Sequence, residues 1–385
     1  MTEDPPNHLA LLPAGLRDLL PPEAEQEAAM VASLMAVFAS HGYERVQPPL
    51  VEFEDSLLAG SGAAVAEQTF RLMDPDSQRM IGVRADTTPQ VARIAQTRLL
   101  AAPRPVRLSY AGPCLRVRGT QIAPDRQIEQ AGMELIGCDS PEADAEIILV
   151  GVEALTGVGV DRLSIDLTLP TLAPTVMDAA CLPAGQRAQL ARALDRKDAA
   201  AVKRHGGPLA ATFGEFLRAA GPSDRALAAL DGSALPEAAR PLAARLAETV
   251  RALRARAPHL RLTVDPVEFR GFRYETGVSV TIYAPNRQEE LGRGGRYISG
   301  EAEPAFGLTL FPDAIGRAVP GPAPRPRVFI PVEAPGDDAA IRLRRDGFAT
   351  IAALTPYGDA AAEAKRLLCS HMLLDGVAVP IAKEG

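Results

Sequence analysis

The sequence predicts a mixed α+β fold: a mostly antiparallel sheet flanked by helices, a helical insertion, and a short α/β unit at the C-terminal end. Three observations carry this reading. Runs such as "VRLSYAGPCLRVRG" and "QAGMELIG" alternate in the manner of strands, while "SPEADAEIILVGVEALTGVG" repeats its apolar residues at helical spacing. From about Pro170 to Pro258 the texture changes to Ala, Leu and Arg at helical spacing, broken by "HGGP", "GPSD" and "DGSALPE". Finally, "VPGPAPRP" at 319–326 has the composition of a linker.

Taken in order, the chain opens with a polar tail over 1–9. A helix follows, with Pro22 near its start, Glu23, Glu25 and Glu27 in its early turns, apolar Val31, Leu34, Met35 and Phe38 along one stripe, and Gly42 at its end. "YERVQPPLVEF" is an extended segment broken by Pro48 and Pro49, which suits an edge. "TFRLMD", "RMIGVR" and "VRLSYAGPCLRVRG" are strand-like, and a loop leads from the last into "QAGMELIG" at 130–137. Ser140 caps the next helix, Pro141 opens it and Gly157 follows its end. After the helical stretch, strands resume with "LRLTVDPVEF" and "GVSVTIYAP", then a Gly-rich turn "LGRGGRY" and the apolar run "AFGLTLF". The resulting division is a core over 10–169 and 259–318, an insertion over 170–258, the linker, and a terminal unit over 327–385.

Composition narrows the function. The chain has 385 residues, 47% of them hydrophobic, with a formal net charge of −7 and no run of Lys or Arg, so the footprint of a dedicated nucleic-acid binder is missing. The basic residues are 37 Arg against 4 Lys, so any single Arg is weak evidence of function. The four cysteines form no CxxC pair, which points to reduced thiols rather than a zinc cluster. The N-terminus lacks a basic start and an apolar run, and no stretch approaches about 18 continuous apolar residues. A cytoplasmic protein with no membrane span and no cofactor is expected.

Four patterns are candidates for one site. In "VRADTTPQVAR", Asp86 and Thr88 precede a helix, where Asp86 is either a cap or a ligand carboxylate. In "GPCLRVRGTQ", Arg116 and Arg118 alternate onto one strand face. Gln130 and Glu134 flank Gly132, which is either the setting of an ion pair or a gap for a small ligand bearing an ammonium or imidazole group. The fourth pattern is "EFRGFRYETG" with "GRGGRY". No segment has the spacing of a P-loop or a dinucleotide fingerprint.

In order, "YERVQPPLVE", "VRADTTPQ", "GPCLRVRG", "RQIEQAGMELIG", "EFRGFRYETG", "GGRY" and "AFGLTLF" resemble the class II histidyl-tRNA synthetase family over about 10–318. The likeness is strongest to its branch without synthetase activity, the ATP phosphoribosyltransferase regulatory subunits. The resemblance implies a class II synthetase-like fold that dimerises through its core. It also implies a histidine pocket: Asp86 and Thr88 at the ammonium, Arg116 at a carboxylate or phosphate, Gln130 and Glu134 in the pocket, Arg270 near the substrate carboxylate, and Tyr297 near the imidazole.

Departures from the family pattern favour the regulatory branch. Arg118 replaces a Glu that serves ATP, and "AFGLTLFPDAIGRA" places Ala314 where an arginine would grip the γ-phosphate. Losing that preorganised cation removes much of the support for adenylate formation. Residues 327–385 look too short for an anticodon-binding domain. Two departures cut the other way: Glu275 stands where a tyrosine would touch the imidazole, and the chain continues past the linker, near which regulatory subunits commonly end. The expected protein is therefore a non-catalytic subunit in a hetero-oligomer with a short-form catalytic ATP phosphoribosyltransferase subunit. It would bind L-histidine and pass on feedback control of the first step of histidine biosynthesis. A divergent histidyl-tRNA synthetase or amino-acid-activating enzyme, and a scaffold subunit that no longer binds histidine, are the alternatives.

Overall fold

The computed structural model describes residues 11–120, 123–268, 274–285, 287–319, 321, 323–332 and 337–381. It divides into two compact units, Met1–Pro320 and Gly321–Gly385.

Helix α1 (Glu23–Ser40) buries Met30, Leu34, Met35 and Phe38, and the chain leaves it through Gly42 at φ +80°, a conformation that costs glycine nothing. Strand β1 (Glu44–Arg45) lies at a sheet edge, as the two prolines behind it require. A separate three-stranded sheet follows, built from β2 (Val51–Phe53), β3 (Phe70–Met73) and β4 (Met80–Val83), with the short helix α2 (Glu54–Leu57) between the first two. Helix α3 (Thr88–Thr97) then leads to the long hairpin of β5 (Val106–Leu115) and β6 (Gln127–Ile136). In α4 (Pro141–Gly157) the Ser140 hydroxyl accepts from the Ala143 amide at 3.1 Å, so the predicted cap forms.

After β7 (Ser164–Thr168) come α5 (Leu172–Ala179), α6 (Ala184–Asp195), α7 (Ala199–His205) and α8 (Ala210–Ala219). The two-residue β8 (Gly221–Pro222), α9 (Ser223–Asp231) and α10 (Arg240–Arg256) complete this stretch. Strand β9 (Arg261–Asp265) then lies parallel to β7, with the short β8 on its other side, so the helices span a crossover between neighbouring strands. Three long antiparallel partners follow: β10 (Ser279–Tyr283), β11 (Glu290–Ser299) and β12 (Glu303–Leu310). The nine-stranded order is β1-β5-β6-β12-β11-β10-β7-β9-β8, and α11 (Pro312–Ala318) ends this unit.

Two local expectations change. "LGRGGRY" is the body of β11 rather than a turn, because its glycines allow close packing. A Cβ at Gly294 would strike the Gly307 carbonyl, and one at Gly295 would sit 3.0 Å from the Glu275 Cγ. Arg116 and Arg118 lie beyond the end of β5, and Arg118 is exposed, so they do not share a strand face.

The sheet has an apolar and a polar face, as alternation dictates. Met133 and Leu135 of β6 join Phe306, Leu308 and Leu310 of β12 against Leu34 and Phe38 of α1 and Ile147 and Ile148 of α4. On this side Asp144 of α4 is wholly buried. It is ion-paired with Arg296 of β11, accepts from Arg245 Nε at 3.1 Å, and accepts from Thr249 Oγ1 at 3.1 Å, the latter two on α10. That carboxylate ties the sheet to two helices.

The second unit carries β13 (Arg327–Ile330), α12 (Asp337–Arg345), β14 (Ala349–Ala352), α13 (Ala360–Arg366), β15 (His371–Leu374) and β16 (Val377–Pro380), in sheet order β14-β13-β15-β16. Val328, Ala339, Leu343 and Leu373 form one buried cluster in it. Among the described residues no helix is long and apolar enough to cross a membrane.

Candidate functional site

The register sets the polar face. Gly132 stands opposite Tyr110 on one side and Thr309 on the other, and Glu134 stands opposite Leu108 and Gly307. Gly295 and Tyr297 of β11 pair with Gly307 and Ala305. A ligand gap over Gly132 is not what forms. The Tyr110 ring lies there, and a Cβ at residue 132 would run into its Cζ and hydroxyl.

Glu134 is wholly buried, and its carboxylate accepts from three hydroxyls: Thr88 at 2.9 Å, Tyr297 at 2.9 Å and Tyr110 at 3.5 Å. Tyr110 also shares a hydrogen bond of 2.7 Å with the Thr309 hydroxyl. Burial pushes the Glu134 carboxyl up to about 8, while the hydroxyl donors pull the other way. Across the strand, a Cβ at Gly307 would collide with this carboxylate, so glycine makes its room.

Beside this network opens a cavity of about 600 Å³ whose lining includes Asp86, Arg116, Gln130, Tyr274, Glu275 and Thr309, together with Asp125, Glu289, Asp313, Ala314 and Arg317. Gln130, 1% exposed, is held on both sides. Its oxygen accepts from the Thr87 amide at 3.1 Å and the Cys114 thiol at 3.1 Å, and its nitrogen donates to Asp86 Oδ1 at 3.2 Å. Asp86 is not the N-cap, which is Thr87. The Asp86 Oδ1 accepts from the Gln130 amide and lies 3.4 Å from the Thr88 amide, and the residue lines the cavity. Arg116 donates Nε to the Ala85 carbonyl at 3.4 Å and lines the same cavity.

The seven expected pocket residues therefore separate. Asp86, Arg116 and Gln130 line the cavity; Thr88, Glu134 and Tyr297 form the buried network behind it; Arg270 lies outside the described residues. Tyr110 and Thr309 were not anticipated. Their only signal is the register that sets both opposite Gly132.

The cavity's charge is uneven. Among the described lining residues are six carboxylates (Asp86, Asp125, Glu275, Glu289, Glu290 and Asp313) and three guanidinium groups (Arg116, Arg293 and Arg317). Arg317 is already ion-paired with Glu289, and Arg293 with Glu290 at 2.5 Å. Such a surplus of negative charge opposes a polyphosphate and favours a cationic or N–H-rich guest. Ala314, 4% exposed, offers no replacement cation. Among the described residues no group of three or more His, Cys, Asp or Glu is placed to hold a metal ion.

The fold and this polar face define a histidyl-tRNA synthetase-like class II protein: the family profile described as Histidyl-tRNA synthetase matches residues 15–315. A solved Bacillus halodurans structure titled as an ATP phosphoribosyltransferase regulatory subunit/histidyl-tRNA synthetase is 21% identical. It aligns with TM-score 0.78 over 94% of this chain and 97% of its own. Histidyl-tRNA synthetase from Nostoc sp. PCC 7120, 18% identical, aligns with TM-score 0.76 over 94% and 91%. Among curated proteins, the ATP phosphoribosyltransferase regulatory subunit of Rhodospirillum centenum is 54% identical over 98% of both chains, and that of Gluconobacter oxydans is 52% identical over 97% of both. The chain belongs to the ATP phosphoribosyltransferase regulatory subunit family.

Proposed function

We propose that this chain binds L-histidine in the cavity, dimerises through its core, and joins a short-form catalytic ATP phosphoribosyltransferase subunit whose reaction it places under histidine control. The glycosyl transfer itself occurs on that partner. One contrast carries the reading. Asp86, Gln130 and Arg116 give the cavity groups suited to an amino acid, while Ala314 brings no cation for a triphosphate and Arg317 is already paired with Glu289. The ammonium meets Asp86, and the carboxylate meets Arg116.

Control requires histidine to favour one arrangement of the complex over another, since only differential affinity shifts an equilibrium. A coupling of about 1–3 kcal/mol is enough. Co-purification with a short phosphoribosyltransferase, and stimulation of ATP phosphoribosyl transfer that histidine reverses, is the expected result. Histidine-dependent ATP–pyrophosphate exchange by the chain alone would favour the enzyme reading instead. The withdrawal of Glu134 into its hydroxyl network favours a second reading, a scaffold that binds no ligand. Calorimetry with L-histidine separates it from the first, because a scaffold gives no binding heat.

A further inference from the structure

Lysines are few in this chain, and one of them joins two parts of the fold. Lys197 lies between α6 and α7, and its Nζ is 2.8 Å from Asp265 Oδ2 and 3.1 Å from Glu268 Oε2. Asp265 is the last residue of β9, so a cation from the helical insertion holds the point where the chain leaves the sheet. It does so from a left-handed backbone conformation, φ +53°, at a helix end of the kind glycine usually occupies. The Asp265 Oδ1 accepts from the Val267 amide at 3.0 Å, so one carboxylate holds both the turn and the insertion.

Register sets what this clamp reaches. Asp265 stands opposite Thr168, Thr168 opposite Ser279, Ser279 opposite Gly295, Gly295 opposite Gly307, and Gly307 opposite Glu134. Residues opposite one another turn their side chains to one face, so this row crosses the polar face from β9 to β6. Side-chain bonds hold it at its two ends, through Lys197 on Asp265 and through the hydroxyls on Glu134. Between them, the buried Thr168 and Ser279 hydroxyls have no hydrogen-bond partner among the described residues. A Cβ at Gly295 would meet both the Ser279 hydroxyl and the Glu275 Cγ, so the row passes beside Glu275, which with Tyr274 belongs to the cavity wall. Along the chain, Glu268 leads toward the same two wall residues.

With its side chain 35% exposed, Lys197 gains little stability from these pairs; what they fix is position. We propose that Lys197 is a positioning residue: through Asp265 and Glu268 it couples the helical insertion to the ligand cavity, so that the placement of the insertion sets the affinity for L-histidine. The inference rests on the histidine reading and adds a part of the fold that regulates that site. A packed ladder with its far end held is the physical route by which such coupling travels.

The test is calorimetry with L-histidine on the full chain, beside a thermal melt of the same preparation. Lys197→Gly should lower the affinity by about threefold or more. It should melt no lower than wild type, because glycine relaxes the φ +53° conformation and the exposed pairs contribute little. Lys197→Arg, which keeps a cation within reach of both carboxylates, should restore most of the affinity. Glu268→Gln should weaken binding as well, and its double variant with Lys197→Gly should lose less than the two single losses combined, as partners in one interaction do. Affinity unchanged in both single variants, or a loss that Lys197→Arg does not restore, overturns the inference while histidine binding stands. A Lys197→Gly loss accompanied by a lower melting temperature overturns it too, since that reports a general loosening of the fold. Absence of binding to wild type overturns the histidine reading and this inference together. If Lys197→Gly does not fold, unchanged affinity in Glu268→Gln is the overturning result.

Discussion

The hydroxyl of Tyr297 donates to Oε2 of Glu134 at 2.9 Å, and both side chains are at most 1% exposed. The bond joins β11 to β6 across β12, and Thr88 and Tyr110 bring α3 and β5 to the same carboxylate. The carboxylate that the resemblance assigns to a ligand pocket is thus tied to hydroxyls from α3, β5 and β11.

Its titration should be visible in stability. Burial raises the Glu134 carboxyl from 4.5 to about 8, so between those values the folded chain holds a proton that the unfolded chain has lost. Stability from this group is complete below about pH 4.5 and is lost as pH rises toward 8. Urea midpoints of wild type should therefore fall from pH 5.5 to 7.5 more steeply than those of Glu134→Gln. Parallel profiles would show that Glu134 does not titrate in this range.

Gly132→Ala should destabilise the protein by about 1–3 kcal/mol, since its methyl group meets the Tyr110 ring in a packed interior. Thermal melts of the single variant and of a double variant with Tyr110→Leu check the cause: the second substitution should recover part of the loss. A Gly132→Ala melt equal to wild type would mean that Tyr110 does not fill this space.

Asp144→Ala should be more damaging, by about 3 kcal/mol, because it removes the buried partner of the Arg296 guanidinium and leaves it only the exposed Asp139 carboxylate at 3.1 Å. Denaturant unfolding of Asp144→Ala beside Asp144→Asn, which keeps two polar atoms, measures it. Equal, small effects from both would mean that the ion pair is not what ties α4 to the sheet.

Asp86→Asn should lower histidine affinity about tenfold or more, because a charge-assisted contact to an ammonium becomes a neutral one. Its melting temperature should stay close to wild type, since the half-buried Asp86 makes only a 3.2 Å bond to Gln130 and a 3.4 Å contact with the Thr88 amide. Calorimetry and a thermal melt on one preparation separate loss of binding from loss of fold.

Much of the architecture was legible along the chain. Helix α4 announces itself through Ser140, Pro141 and its acidic first turn, and α1 through its apolar stripe. The edge position of β1 follows from Pro48 and Pro49. "GRGGRY" misled because glycines signal a turn locally, whereas here Gly294 and Gly295 admit Gly307 and Glu275 from other strands. Glycines that serve close packing cannot be told from turn glycines without their neighbours.

The sequence by itself determined that β6 carries a polar face, because side chains alternate whatever the strand packs against, and that Ala314 brings no cation, because identity at a position needs no coordinates. Only the tertiary structure decided which buried carboxylate meets the cavity. Glu134 lies on β6 and Glu275 just before β10: hydroxyls from α3, β5 and β11 close on the first, while the second lines the cavity and, among the described residues, its Oε2 has no hydrogen-bond partner. Register is a relation between segments more than a hundred residues apart, and no local stretch of the chain contains it.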